Sequence, residues 1–132
     1  MNDHISLEMH DEWAVLTCVG DLDLNLADEL RRTIGSATRS GADTIVIDVS
    51  GTGLVDSTTL GVLLHANTAC KEAGSTLVIA GAPRLVARSI ALTGLDRLLR
   101  LAPDVKSALT LRLRDAAAQA LASGSPAISS TE

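Results

Sequence analysis

The sequence has almost no aromatic residues, since it contains one Trp and neither Phe nor Tyr. Proteins that bind single-stranded nucleic acid usually stack bases on aromatic side chains, and that platform is missing here. A cationic surplus is missing as well, because 11 Lys and Arg residues stand against 16 Asp and Glu residues and the net charge is -5. Phosphate backbones are bound by such a surplus. We therefore expect no nucleic-acid partner.

Long apolar runs and metal-ligand spacings are also lacking. No apolar run approaches the ~20 residues of a membrane helix, and the N-terminal residues do not have the basic and apolar regions of a signal peptide. We therefore expect a cytoplasmic protein with no membrane partner. Cys18 and Cys70 belong to no metal-ligand spacing, so buried free thiols are the expectation and a redox role is the alternative.

What the sequence does contain is sufficient for one folded domain. A hydrophobic content of 46% in 132 residues can form one core. Alternation of apolar and polar residues over 5–9 predicts an edge strand, and the apolar run 13–19 predicts a strand covered on both faces. Gly20 is expected to end this second strand, and Asn25 to cap the amphipathic helix that follows.

The stretch from Thr44 to Ala73 organises the rest of the chain. Its first part is a β-branched run that predicts a buried central strand, with turn residues at 50–53 behind it. Its last part is apolar over a wide arc, which predicts a helix packed against a sheet. Asp56 and Ser57 lie where this helix must begin, and both residue types are favoured helix caps. Hydroxyl groups on three successive residues exceed what one cap needs, and a helix N-terminus attracts anions.

The second half of the chain predicts two more strands and two more helices. Gly74 ends the central helix, and Thr76–Ala80 predicts a buried strand parallel to the central one. Pro83 is suited to the first position of a short helix that ends before Gly94. A final short strand is expected at residues 98–101.

The last helix is expected to start at Pro103 and Asp104. Arg112 and Arg114 are predicted to face solvent. The polar composition after Leu121 predicts a disordered tail over residues 122–132, which leaves a single domain at residues 1–121. The predicted inner face of this helix consists of Val105, Leu109, Leu113, Ala116 and Ala120.

Two parts of the central stretch resemble a known family. Residues 45–50, Ile-Val-Ile-Asp-Val-Ser, and residues 55–63, Val-Asp-Ser-Thr-Thr-Leu-Gly-Val-Leu, are similar to the signature of STAS-domain anti-sigma factor antagonists. The family hallmark is Asp-Ser-Ser/Thr-Gly-Leu-Gly-Val-Leu, so Thr59 stands where the family more often has Gly. Gly-Asp-Leu-Asp at residues 20–23 is similar to the family's Gly-Glu-Leu-Asp. The resemblance covers roughly residues 5–121.

The resemblance implies a fold, a partner and a switch. The implied fold is α/β, with an open mixed β-sheet and about four helices, mainly on one face. The implied partner is an anti-sigma factor that is also a serine kinase. The unphosphorylated domain would bind it and free a sigma factor, and phosphorylation of Ser57 would end binding until a phosphatase resets the switch. ATP would be bound by the partner, so no cofactor is expected here. The implied partner-binding residues are Asp23, Asp56, Ser57, Thr58, Thr59, Leu60 and Gly61.

Enzymatic alternatives fit the sequence poorly. Residues 51–56, Gly-Thr-Gly-Leu-Val-Asp, open like a dinucleotide fingerprint, but Asp56 replaces the third glycine. Ser57 is not in a Gly-x-Ser-x-Gly elbow, and His65 lies two turns further along the helix, too far to act as its general base. We therefore expect no enzyme and no metal site. The alternative that keeps the fold is a STAS scaffold, or a ligand-binding or transport-associated domain, with no phosphate involved.

Overall fold

The computed structural model describes residues 4–122, apart from the side chains of Ala116 and Gln119. Over this part of the chain the predicted fold class is confirmed: the molecule is an α/β sandwich with an open mixed sheet and four helices, three of them on one face. The strands are β1 (Ile5–Met9), β2 (Trp13–Leu22), β3 (Thr44–Val55), β4 (Thr76–Ala80) and β5 (Arg100–Ala102). The helices are α1 (Leu24–Arg39), α2 (Ser57–Glu72), α3 (Arg84–Leu92) and α4 (Val105–Ala122), with a 3-10 turn at Leu95–Arg97.

The strands follow one another across the sheet in chain order, from β1 to β5. β1 is antiparallel to β2, and the remaining three neighbouring pairs are parallel, as predicted for β3 and β4. β3 is therefore the central strand, and Ile45 within it pairs with Ala14 on one side and Leu77 on the other. Because β2 and β3 are parallel, their carboxyl ends meet at the same edge of the sheet.

Two strands are longer than the sequence predicts. β2 does not end at Gly20 but continues to Leu22, with register shifts on either side of residues 19 and 20. Gly20 has a φ of +89°, a conformation that favours glycine, so it bends the strand and lets the pairing resume. β3 likewise runs through residues 50–53, which the sequence predicts as a turn, and reaches Val55, which pairs with Leu22. Pairing with the longer β2 gives hydrogen-bond partners to backbone groups of residues 50–53.

The larger part of the core lies between the sheet and helices α1, α2 and α3. Successive side chains of a strand point to opposite faces, so alternate residues of the central strands line this face. The helices contribute Leu30, Ile34, Leu63 and Ile90, all almost fully buried. The strand residues of this face are Ala14, Leu16, Ile45, Ile47, Leu77 and Ile79.

The opposite face is covered by α4 and has a smaller core. Ala108 is fully buried there, and the predicted inner residues Val105 and Leu109 pack against it partly buried. The prediction for Leu113 is wrong, because this side chain is 62% exposed and Leu111 packs inward instead. The side chain of Ala116 lies outside the described residues. The strand residues of this face are Val15, Val46, Val78, Ala80 and Ala102.

The predicted exposure of Arg112 is also wrong. Its side chain is only 12% exposed and donates hydrogen bonds to Asp43, with Nε 2.7 Å from Oδ1 and Nη2 3.0 Å from Oδ2, and a further one to Glu12. These carboxylates lie beside the amino ends of β2 and β3 and satisfy the guanidinium, so the side chain can lie against the sheet instead of reaching into water. Arg114 is exposed, as predicted.

Several element boundaries differ from the predictions. α1 is capped by Asp23, whose Oδ1 accepts the Asn25 N–H at 3.0 Å, and Asn25 lies inside the helix. Pro83 occupies the N-cap of α3, one residue before the predicted place, because its backbone is extended. β5 starts at Arg100, two residues later than predicted, because the N–H groups of Leu98 and Leu99 donate to the Leu95 carbonyl and continue the 3-10 turn. α4 includes Ala122, the first residue of the predicted tail, and residues 123–132 lie outside the described residues.

The cysteines are free and buried, as predicted. Burial, with a smaller contribution from the charge of Asp48, raises the pKa of the Cys18 thiol to about 12, and burial also raises the pKa of Cys70. Thiolates are the reactive form of cysteine, so neither thiol is activated at neutral pH. Within residues 4–122, no helix is long and apolar enough to cross a membrane.

Candidate functional site

The candidate site lies at the junction of β3 and α2, where one residue separates strand from helix. That residue, Asp56, is the N-cap of α2, and its Oδ1 accepts the Thr59 N–H at 2.8 Å. The Asp56 N–H donates to the carbonyl of Leu22 at 3.1 Å, which ties the start of α2 to the end of β2. The capping role that the sequence predicts for Asp56 is therefore confirmed, and it fixes the position of Ser57.

The three hydroxyl residues after the cap have different environments. Ser57 and Thr58 are exposed, as a residue that is modified or contacted by a partner must be. Thr59 is only 1% exposed, and its Oγ1 donates to the Leu22 carbonyl at 3.0 Å. It stands where the related signature more often has glycine, and here the side chain serves as a second link between α2 and β2.

The remaining predicted site residues surround this turn. Leu60 is buried in the core, so its side chain anchors the first turn from inside. Gly61 is half-buried, and nothing within 4 Å would contact a Cβ placed on it. Asp23 directly follows Leu22, whose carbonyl both Asp56 and Thr59 contact, so Asp23 lies at the same edge of the sheet with its side chain engaged as the α1 cap.

Two exposed leucines belong to this edge and were not predicted from the sequence. Leu24 begins α1 and is 69% exposed, and Leu54 lies near the end of β3 and is 51% exposed. Leu54 pairs with Asp21, next to the pair formed by Leu22 and Val55. Both leucines therefore add exposed apolar surface at the edge of the sheet where α2 begins. The exposure of Leu54 could have been predicted if β3 had been continued past residue 53. Successive residues of a strand point to opposite faces, so Leu54 then lies on the face opposite Val55.

The junction offers a hydroxyl group at the positive end of a helix dipole. The Ser57 hydroxyl stands in the first turn of a helix, where the helix dipole and free N–H groups favour a negative charge. His65 lies two turns along α2 and lines a groove between α1 and α2, not the junction. Among residues 4–122, no group of three or more His, Cys, Asp or Glu side chains is arranged to hold a metal ion. Ser57 thus presents an exposed hydroxyl at a helix N-terminus.

Comparison with known proteins identifies a family and a fold. The family model described as "Mlab, STAS domain" matches residues 5–100. No curated protein matches the chain. Among solved structures, an anti-sigma factor antagonist from Mycobacterium paratuberculosis is 28% identical and has a TM-score of 0.70, with 81% of this chain and 91% of that chain covered.

Three further structures share the fold at lower identity. The anti-sigma factor antagonist SpoIIAA in its unphosphorylated form is 20% identical, with a TM-score of 0.70 and coverage of 82% of this chain and 96% of that chain. The phosphorylated form of the Bacillus cell fate determinant SpoIIAA is 19% identical, with a TM-score of 0.62 and coverage of 77% and 94%. A sulfate transporter family protein from Wolinella succinogenes is 16% identical, with a TM-score of 0.66 and coverage of 74% and 81%.

Proposed function

The chain belongs to the STAS domain family, and from this we propose that it is an anti-sigma factor antagonist switched off by phosphorylation of Ser57. In the unphosphorylated state it binds an anti-sigma factor that is also a serine kinase, and a sigma factor is freed. The partner binds the ATP, so this domain needs no cofactor and catalyses no reaction. A phosphatase resets the switch.

The observation that carries the proposal is the environment of Ser57. Its hydroxyl is exposed at the start of α2, directly after a cap that is fixed by hydrogen bonds, and Leu24 and Leu54 expose apolar surface at the same edge. A kinase can reach the hydroxyl, and a partner can bury the leucines. The relatives named as antagonists, one of which exists in phosphorylated and unphosphorylated forms, support the same role.

The switch acts on the partner surface and leaves the fold intact. A phosphate adds about −1.5 to −2 charges at neutral pH. At a helix N-terminus these charges are stabilised by roughly 0.3–1 kcal/mol, so α2 stays folded. In a contact surface, the same unpaired dianion must lose its water and meets the partner, and such mismatches cost several kcal/mol (roughly 2–5). Phosphorylation therefore expels the partner without unfolding the domain.

A labelling and capture experiment tests the proposal. Wild type, Ser57→Ala and Thr58→Ala are immobilised, partners are captured from the native cell, and labelled ATP is added. We expect wild type and Thr58→Ala to accept phosphate and then release a captured protein, while Ser57→Ala holds the same protein without being labelled. Thr58→Ala is the matched control, since Thr58 is the exposed hydroxyl next to Ser57.

Two outcomes would contradict the proposal in different ways. Labelling that persists in Ser57→Ala and disappears in Thr58→Ala would move the acceptor to Thr58. If the same partner is captured by every variant and ATP does not release it, the alternative is favoured. That alternative is a STAS scaffold or transport-associated domain without a phosphate switch. The fold shared with a sulfate transporter family protein makes that alternative the one to test against.

A further inference from the structure

A groove of about 600 Å³ lies between α1 and α2 and borders the candidate site, since Thr58 and Gly61 are among its lining residues. Its volume is within the range of about 300–1,000 Å³ that small-molecule sites have. The floor is apolar and includes Ile34, Val62 and Ala66. These three residues take no part in the proposed switch, although the groove shares Thr58 and Gly61 with the implied partner-binding surface.

The groove is open where α2 carries Gly61. A Cβ at this position would meet no atom within 4 Å, so the backbone of α2 borders empty space there. Glycine weakens a helix interior relative to alanine, and no neighbouring side chain explains it here. Larger side chains at residue 61 would project into the groove and occupy it, which makes this position a direct probe of what the groove holds.

The rim of the groove is basic. Arg31, Arg39 and His65 line it, although the protein as a whole is acidic with a net charge of -5. Arg31 already pairs with Asp28 at 2.5 Å. Arg39 has no carboxylate partner within residues 4–122, and its guanidinium lies over Gly35, with Nη1 3.2 Å from where a Cβ would stand. Arg39 is therefore the cation available to a ligand.

We propose that this groove binds a single-chain amphiphilic carboxylate, such as a medium-chain fatty acid. The alkyl chain lies over Ile34, Val62 and Ala66, where it replaces water on apolar surface. The carboxylate pairs with the Arg39 guanidinium, whose planar set of donors matches two carboxylate oxygens. An apolar floor with a basic rim selects a ligand that carries both features, and a purely apolar or purely ionic ligand uses only one of them.

Calorimetric titration of the full chain with decanoate, below the concentration at which it forms micelles, tests the proposal. We expect saturable binding of one molecule per chain, and binding of decanol, which has the same tail and no charge, at least tenfold weaker. Absence of saturable decanoate binding would overturn the proposal. Equal affinity for decanol and decanoate would overturn the assigned role of Arg39.

Two pairs of variants locate the site. Gly61→Ala and Gly61→Leu fill the groove in steps, so affinity for decanoate should fall in that order, by at least tenfold for Leu. Their melting temperatures should not fall, because both residues favour a helix more than glycine does. Arg39→Gln should weaken binding by at least fivefold, whereas Arg32→Gln, which removes an exposed cation of α1 outside the groove, should leave it unchanged.

The variants also separate a ligand site from a protein interface. If Gly61→Leu binds decanoate as tightly as wild type, the ligand lies elsewhere and the proposal fails. If decanoate never binds but Gly61→Leu abolishes capture of the partner protein, the groove is a protein-binding surface and the ligand proposal is again wrong. Loss of decanoate binding in Arg39→Gln, with capture of the partner protein and its release by phosphate both unchanged, would support a ligand site that functions separately from the switch.

Discussion

The two faces of the sheet differ in how their covering helices are held. On the face of α1, α2 and α3, large aliphatic side chains such as Ile47 and Ile79 are fully buried against the helices. On the opposite face, α4 packs on smaller residues such as Val46, and Arg112 adds ion pairs at the amino end of β3. One face is therefore held by extensive apolar burial with hydrogen bonds from Asp56 and Thr59 to Leu22, and the other by a smaller apolar contact together with charge.

This difference is consistent with the proposed position of the switch on the three-helix face. α2 carries Ser57 on its outer first turn, while its inner side is fixed by buried leucines and by the links from Asp56 and Thr59 to Leu22. A charge added at Ser57 changes the surface and leaves that packing untouched. Contacts of α4, in contrast, depend on carboxylates and so on pH and salt. The predictions below test this contrast, starting with the largest expected effect.

Neighbouring residues of β3 allow the two faces to be compared directly. Ile47 and Val46 are both fully buried, and they point to opposite faces. Ile47→Ala should lower the free energy of unfolding by about 2–5 kcal/mol, the range for a large aliphatic residue in a core. Val46→Ala should cost less, because fewer methyl groups are removed, at roughly 0.8 kcal/mol for each. Denaturant unfolding measures both, and an equal or larger loss for Val46→Ala would contradict the ranking.

Ser57→Glu tests whether the site and the fold are separable. It should weaken binding to the captured anti-sigma partner by more than a hundredfold, which corresponds to about 3 kcal/mol. The melting temperature and circular dichroism should stay those of wild type, since a carboxylate in the first turn of a helix is favourable. Thr58→Glu is the matched control for charge. Wild-type affinity in Ser57→Glu would exclude charge as the cause of release.

Thr59→Val tests the link between α2 and β2. The substitution keeps the shape of the side chain and removes the hydrogen bond to the Leu22 carbonyl, which still accepts the Asp56 N–H. The expected loss in the free energy of unfolding is about 0.5–1.5 kcal/mol. Thr58→Val, at an exposed position one residue earlier, should change it by less than about 0.5 kcal/mol. If both substitutions lower the free energy of unfolding equally, the buried Thr59 hydroxyl does not stabilise the contact between α2 and β2.

Arg112→Met tests the charged contact of α4. The hydrogen bond from Arg112 holds the pKa of Asp43 below its usual value of 3.8. A carboxylate with a lowered folded-state pKa stabilises the fold above the unfolded value, and this stabilisation is lost as the pH falls through the folded value. The Asp43 side chain is half exposed, so solvent screening keeps the contribution below about 1 kcal/mol.

The stability difference between Arg112→Met and wild type should therefore be largest near neutral pH. It should shrink as the pH falls below the usual Asp value of 3.8 and then through the lower pKa of the paired Asp43. Thermal unfolding across pH measures this difference, with Arg114→Met as the exposed control on the same helix. A difference that does not change with pH would mean that Arg112 acts through packing alone.

The elements that carry the site could be predicted because their signals are local. A β-branched run at residues 45–49, a cap at Asp56 and an apolar arc after Ser57 each depend on a few successive residues. The resemblance of this stretch to a known signature added the fold class, which the structure confirms. Phosphorylation of Ser57 remains a prediction, since no geometry can record whether a kinase acts there.

What could not be predicted depends on partners that are distant in sequence. Arg112 contacts Asp43 across 69 residues and Glu12 across 100, so helical periodicity alone placed it in solvent. β2 continues beyond Gly20 because its residues after the register shift pair again with β3. A local sequence pattern does not predict such a pairing. The exposure of Leu24 likewise became visible only with the α1 boundary in place.

The short passage from β3 into α2 has a consequence for any enzyme that modifies Ser57. With Asp56 as the single intervening residue, the strand and the helix hold the serine in one conformation from both sides. A peptide with the same residues would lack the sheet, and short isolated helices are marginal in water. A kinase that modifies Ser57 as proposed is therefore expected to recognise a three-dimensional epitope composed of two chain segments, and to act poorly on a linear peptide.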